Sequence, residues 1–197
     1  MRKLLLGLVA VAMISLAVAP ADAHGRYPYG YRVGYYAGYA PAYLGRGLAY
    51  RQKGQLMPAL QDFNKAIAIR PDTAQAYYNR GLLYQGQGQH QFAIDDFSTA
   101  IGLSPQQAEP LAARALSYLA LGDAKAAAAD LDEAVLAEPQ NLQAWVSRGL
   151  AYERLGVKEK AAGSYGRAIN IKKDFAPARE GFARVGGKTG TTYKAFD

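Results

Sequence analysis

From residue 40 to residue 175 the small, large and polar positions of this chain recur every 34 residues. Glycine or alanine stands at Gly47, Gly81, Ala115 and Gly149, with tyrosine three later at Tyr50, Tyr84, Tyr118 and Tyr152. A second glycine follows at Gly54, Gly88, Gly122 and Gly156. Alanine recurs at Ala59, Ala93, Ala127 and Ala161 and again at Ala66, Ala100, Ala134 and Ala168. Between those alanines sit Phe63, Phe97, Leu131 and Tyr165. Proline closes three units at Pro71, Pro105 and Pro139, where the fourth has Lys173. Small residues let two helices approach closely, and the large ones fill the space beside them. The second glycine sits midway, where a helix ends and the chain reverses, because glycine accepts the left-handed C-cap conformation. Proline then stops a second helix. Each unit is predicted to be helix–turn–helix–turn, with helices of about 13 residues or roughly 20 Å. A unit that cannot bury its apolar face alone must stack on its neighbours. The chain is therefore expected to be all-α, with its function on a surface made by stacking.

This pattern resembles the tetratricopeptide repeat, and Tyr43, Tyr77, Leu111 and Trp145 supply the further large residue of that family's motif. The resemblance implies a right-handed superhelical array of four helix-turn-helix repeats, about 40–73, 74–107, 108–141 and 142–175, within a domain of residues 41–185. It departs at Leu111 and Ala115 in the third copy and at Lys173 in the fourth. Residues 176–185 look like the extra helix that caps such arrays, and 186–197 carry no periodic pattern and are expected to be a disordered tail.

The N-terminal region changes the setting. Arg2 and Lys3 precede an apolar run from Leu4 to Ala19, then Pro20 and Ala21-Asp22-Ala23. These are the parts of a secretory signal peptide, residues 1–23, cut after Ala23. As a retained helix the run would span about 24 Å, short of a hydrocarbon core of roughly 30 Å; an uncleaved anchor is the alternative. Export to a bacterial periplasm or cell envelope is the expectation. With no cysteine there is no lipoprotein anchor, disulfide, thiolate metal site or cysteine nucleophile. Residues 24–40 are dense in tyrosine and glycine, and are expected to be either a flexible linker or an adhesive arm.

Charge is uneven. The net charge is +7. Residues 55–140 hold ten acidic and five basic side chains, whereas Arg154 to Lys194 hold ten basic against Glu159, Asp174 and Glu180. A basic C-terminal third could favour cell-wall polymer or an anionic membrane surface, or the helices could simply be solvated. Export argues against nucleic acid.

Arg46, Arg80, Arg114 and Arg148 form a second series of period 34. Asp62, Asp96 and Asp130 lie 16 residues after the first three, so antiparallel helices should pair them within a repeat. Ser164 stands at the fourth place, which leaves Arg148 as the expected free member and a ligand candidate. The resemblance further implies that the first helices line a concave groove for a partner segment. A clamp for acidic C-termini is not expected: Asn79 matches it, but Leu44, Leu48, Glu109 and Ala113 occupy its other places. Leu48, Leu82, Leu116 and Leu150 instead recur on the groove side, flanked by Leu44, Tyr78, Ala112 and Val146. Arg51, Gln85 and Arg154, with Asn79 and Arg148, would orient an apolar or amphipathic segment. The alternative is that these leucines only pack neighbouring helices together.

No catalytic constellation is legible. His24 and His90 are the only histidines. His90 is expected to face solvent, and a copper site at His24 would need a second histidine. Asp95-Asp96 and Asp132-Glu133 are adjacent on helices and point apart. The expectation is a non-catalytic, cofactor-free, metal-free scaffold for a protein or peptide partner. An envelope-structural protein using its tyrosine-rich arm and basic C-terminal third is the alternative; in a third reading, self-association, the arm folds into its own groove as autoinhibition, or into a neighbour's to make a dimer.

Overall fold

A computed structural model describes residues 38–105 and 107–187. The expected signal peptide, most of the arm and the tail beyond Gly187 lie outside the described residues. The order is α1 (Ala40–Gln52), α2 (Leu56–Ile69), α3 (Ala74–Gly86), α4 (His90–Leu103), α5 (Ala108–Leu121), α6 (Ala124–Ala137), α7 (Leu142–Arg154), α8 (Lys158–Ile171) and α9 (Ala176–Arg184). Eight helices pair as four antiparallel hairpins of 13–14 residues per helix. The ninth closes the array against α8. Among the described residues this is the all-α repeat array that the 34-residue period predicts.

The turn inside each hairpin depends on glycine. Gly54, Gly88, Gly122 and Gly156 have φ between 71° and 86°, a region that any side chain would strain. The prolines matter less than the pattern suggests. Ile171 ends α8 two residues before Lys173, as Ile69 ends α2 two residues before Pro71. The residue after each of these two helices is extended, at φ −141° for Lys172 and −135° for Arg70. An extended C-cap stops the helix with or without proline.

Packing within a hairpin is set by ring against glycine. Phe63, Phe97, Leu131 and Tyr165 are at most 1% exposed. A Cβ added at Gly47 would stand 2.7 Å from the Phe63 ring, one at Gly81 2.7 Å from Phe97, and one at Gly149 2.6 Å from Tyr165. The third repeat keeps the volume by a paired change, carrying Ala115 where the others have glycine and Leu131 where they have a ring. Fully burying each large side chain contributes about 1.5–3 kcal/mol.

Curvature places the groove. First helices of neighbouring repeats touch one another, α3 with α5 and α5 with α7. Elements that meet their equivalents in the next copy lie on the short side of a curved stack, so the first helices line the concave face.

Leu131→Phe alone should drive a ring into the Ala115 methyl and destabilise the fold by about 1–3 kcal/mol. Adding Ala115→Gly should recover most of that loss. Urea denaturation of the two single variants and the pair measures the coupling, and additive effects would disprove the ring-on-glycine account.

Candidate functional site

Three arginines pair within their repeats as expected. Arg46 grips Asp62 through Nε and Nη2 at 2.6 and 2.8 Å, and Arg80 grips Asp96 at 2.8 and 2.7 Å. Arg114 grips Asp130 at 2.8 and 2.7 Å. Both N–H bonds of each fork meet one carboxylate, the arrangement that makes such pairs strong. Their partners hold the Arg80 and Arg114 guanidiniums above the ordinary arginine range, with the bound aspartate as the main cause.

Arg148 corrects the expectation that it is free. Its Nε donates to Asp132 at 2.6 Å and its Nη1 to the Ser164 hydroxyl at 2.8 Å, and its side chain is 14% exposed. Asp132 belongs to the second helix of the preceding repeat. The same cross-repeat link occurs earlier as Arg80 to Asn64 at 2.7 Å and Arg114 to Ser98 at 3.0 Å. Each of these arginines thus bridges its own hairpin and the one before it. In the fourth copy the carboxylate has moved from the own-repeat place, now Ser164, to the preceding-repeat place, Asp132. The sequence signal was the polar series Asn64, Ser98 and Asp132, also spaced by 34. Asp132 accepts the Tyr152 hydroxyl as well, at 2.7 Å. Aromatic rings on the arginines' own helices complete the ladder: the Arg46 guanidinium lies 5.5 Å from the Tyr43 ring, and the Arg148 guanidinium 5.0 Å from that of Tyr152.

The groove residues divide. Asn79 is 3% exposed and donates to the Gln75 carbonyl, so it lies in the interface between repeats and not on the groove. Leu44 and Leu48 pack against Ala59, Phe63 and Leu83. Tyr78 and Leu82 pack against Ala93, Phe97 and Ala113. Val146 and Leu150 join the C-terminal core around Leu131 and Tyr165. These six are half-buried, packed into the stack on one side and open to solvent on the other. Leu116 differs: it is 39% exposed beside the half-buried Ala112. Gln85 spends its Nε2 on the Ala113 carbonyl and the Ser117 hydroxyl, at 2.8 and 2.9 Å. Arg154 donates to the Leu119 carbonyl. Both polar residues tie one first helix to another, while Arg51 stays half-buried on α1. Burial and then the Glu109 carboxylate push the Tyr78 phenol above its ordinary range.

Glu153 ties α7 to the last two helices. It accepts the Tyr165 hydroxyl at 2.6 Å and pairs with Arg184 of α9 at 2.9 Å. The Arg184 hydrogen bond is the main cause that holds its carboxyl below the usual range, with Tyr165 adding to it. His90 is another correction: it opens α4 half-buried, with Nδ1 closed off from water and no partner. The structure offers no reason for that burial.

Two outcomes follow. Asp132→Ser should leave the Arg148 guanidinium with hydroxyl partners only and destabilise the array by about 1–3 kcal/mol. Adding Ser164→Asp should restore much of this by recreating the fork of the earlier copies; thermal melting of the single and double variants tests it. Asp62, held low first by its hydrogen bond from Arg46, and Glu153 both have depressed folded pKa values. Their stabilisation is complete above the ordinary carboxylate range and is lost as pH falls through the depressed values. Urea midpoints should therefore be level above about pH 5 and decline below about pH 4. Asp62→Asn should flatten that decline, and an unchanged acid slope would refute the assignment.

Family models described as "TPR repeat" and "Tetratricopeptide repeat" match residues 47–88, 74–107 and 112–177. No curated protein matches at the sequence level. Among solved structures, MamA superposes with a TM-score of 0.70 at 23% identity, over 74% of this chain and 80% of that one. YrrB, described as a TPR protein with an unusual peptide-binding site, gives 0.68 at 20% identity over 73% and 74%. The first TPR of Spaghetti (RPAP3), bound to an HSP90 peptide, gives 0.56 at 24% identity over 57% and 89%. With matched motifs over most of residues 47–177 and the same fold around them, the chain belongs to the tetratricopeptide-repeat family.

Proposed function

We propose that this protein is a non-catalytic scaffold that captures an apolar or amphipathic segment of another protein in its concave groove. The observation that carries this reading is the apolar line Leu48, Leu82, Leu116 and Leu150 on the inner helices, with Leu116 39% exposed at its centre. A side chain inserted beside Ala112 would cover Leu116 and remove apolar surface from water at about 25 cal/mol per Å². Leu44, Tyr78, Ala112 and Val146 would form the walls. Arg51, Arg154 and Glu153 carry charge at one end of the inner helices, where they would fix the register of the incoming segment. The peptide-binding site described for YrrB and the HSP90 peptide bound to the first TPR of Spaghetti (RPAP3) support this use of the fold. The signal-like residues 1–23 support an exported location, in the periplasm or cell envelope, for the same activity.

Leu116 discriminates better than its neighbours because the fold has little need of it. Leu116→Glu should keep the melting temperature within about 2 °C, as expected for an exposed position. In-cell crosslinking and mass spectrometry should find partner peptides joined to α3, α5 and α7. Those crosslinks should fall at least tenfold in the variant. Crosslinks that persist in Leu116→Glu, or that map to the second helices, would overturn the groove reading.

A further inference from the structure

Among the described residues, nothing packs on one interface face of the first helix of the array. In repeats two to four the face of the first helix that receives the preceding hairpin is shut. Ala76, Asn79 and Leu83 are 0–4% exposed, Ala113 and Ser117 are 7% and 0%, and Ala144, Ser147 and Ala151 are 0–4%. On α1 the equivalent residues, Ala42, Gly45 and Ala49, are all exposed. The arginine ladder breaks at the same place. Arg80, Arg114 and Arg148 each reach back to a preceding helix and are 20%, 19% and 14% exposed, whereas Arg46 pairs within its own repeat with Asp62, has no preceding helix among the described residues and is 54% exposed.

The opposite end shows what such a face receives when it carries glycine. Gly181 of α9 is the register equivalent of Gly45, and the Tyr165 ring lies on it so closely that a Cβ there would collide with the ring. At Gly45 no atom of the described residues lies within 4 Å of the same hypothetical Cβ. The residue 16 before Gly181 is Tyr165, and the residue 16 before Gly45 is Tyr29. In the three intervening copies that pair is Phe63 with Asn79, Phe97 with Ala113 and Leu131 with Ser147. Tyrosine and glycine therefore coincide only at the two ends of the array. The match extends further along the segment. Gly25 falls in register with Ala59, Ala93, Ala127 and Ala161, and Val33 with Ile67, Ile101, Val135 and Ile169.

We propose that residues 25–37 of this chain cover the open face of α1, with the Tyr29 ring over Gly45 and Val33 beside Ala49. The segment would do at the first repeat what a second helix does for each later one. Pro28, Gly25, Gly30 and Gly34 disfavour a full helix, and Arg32 stands where the repeats have alanine. The cover is therefore an aromatic strap that keeps the ring contact without a complete repeat. Reach is no obstacle: ten residues join Tyr29 to Tyr39, up to about 35 Å of chain. Gly45 lies about 9 Å along α1 from Tyr39. The strap leaves the concave groove open, so this proposal and the groove reading stand or fall separately.

The natural chain has no cysteine, which makes a disulfide test clean. Val33→Cys with Ala49→Cys, in the chain as purified and with Tyr29 intact, should form an intramolecular disulfide under mild oxidation. Adding Tyr29→Ser should slow that reaction at least tenfold while helicity and melting remain. In the cysteine-free chain, Tyr29→Ser should also raise hydrogen exchange several-fold in α1 and leave α3 to α9 unchanged. A crosslink rate changed less than twofold by Tyr29→Ser would show random encounter of a free arm and overturn the proposal. A disulfide between two chains would also overturn it, by assigning the α1 face to a second copy.

Discussion

The contact of a ring with a glycine on the neighbouring helix sets the distance on which the rest of this structure depends. Phe63, Phe97 and Tyr165 occupy the space that a Cβ at Gly47, Gly81 or Gly149 would need. The two helices of a hairpin consequently lie close enough for residues 16 apart to face each other across it. Only at that spacing can Arg46, Arg80 and Arg114 fork onto Asp62, Asp96 and Asp130 with bonds of 2.6–2.8 Å. The carboxylates are largely shut from water, Asp62 at 2% exposed and Asp96 at 5%. A buried carboxylate without its guanidinium would be far costlier than one in water. Close packing and ion pairing are thus conditions for one another.

The same arginines turn paired hairpins into an array. A guanidinium has five N–H donors in a fixed plane, and the intra-repeat fork uses two of them. In Arg80 and Arg114 a third donor, Nη1, reaches the preceding hairpin at Asn64 or Ser98, whereas Arg148 turns Nε to Asp132 of the preceding hairpin and Nη1 to its own Ser164. That link lets the fourth repeat trade places between its two acceptors. With one carboxylate and one hydroxyl on either side of Arg148, charge is balanced whichever hairpin supplies the carboxylate. A stack held this way gains its stability from nearest-neighbour interfaces.

The helices, their turns and the buried series at 59, 63 and 66 were legible because each position has one structural duty, repeated four times. The Arg–Asp pairs were legible for the same reason, since turn glycine and 16-residue spacing define a hairpin's own geometry. Arg148 was misjudged because its partner lies 16 residues before it, across a boundary between repeats that the within-repeat register hides. Asn79 was misplaced on the groove by analogy of position. Its amide lies in the interface with the preceding hairpin, where Ala113 and Ser147 stand in the following copies. Stacking against the preceding repeat decides these cases, and a hydrophobic pattern read one repeat at a time does not contain it. The floor leucines fall between: periodicity gives their side of the helix, while the size of the flanking residue decides how far each opens to solvent.

Ladder and groove share the same helices, and helical geometry keeps them apart. Residues two apart on an α-helix point about 200° from each other, so Arg46 lies away from Leu44 and Leu48 on the same turns of α1. One side is tied by charge and rings to two hairpins and admits little change. Its arginine is the same in all four copies. The other side varies from copy to copy in a first row of half-buried positions, Leu44, Tyr78, Ala112 and Val146. Variation among copies that share a single fold is what a recognition surface requires, because each repeat must offer a different neighbour to one asymmetric partner. The smallest member of the first row, Ala112, sits beside the exposed Leu116. The array can therefore be rigid at its ladder and still place an opening of chosen size in the middle of its inner face.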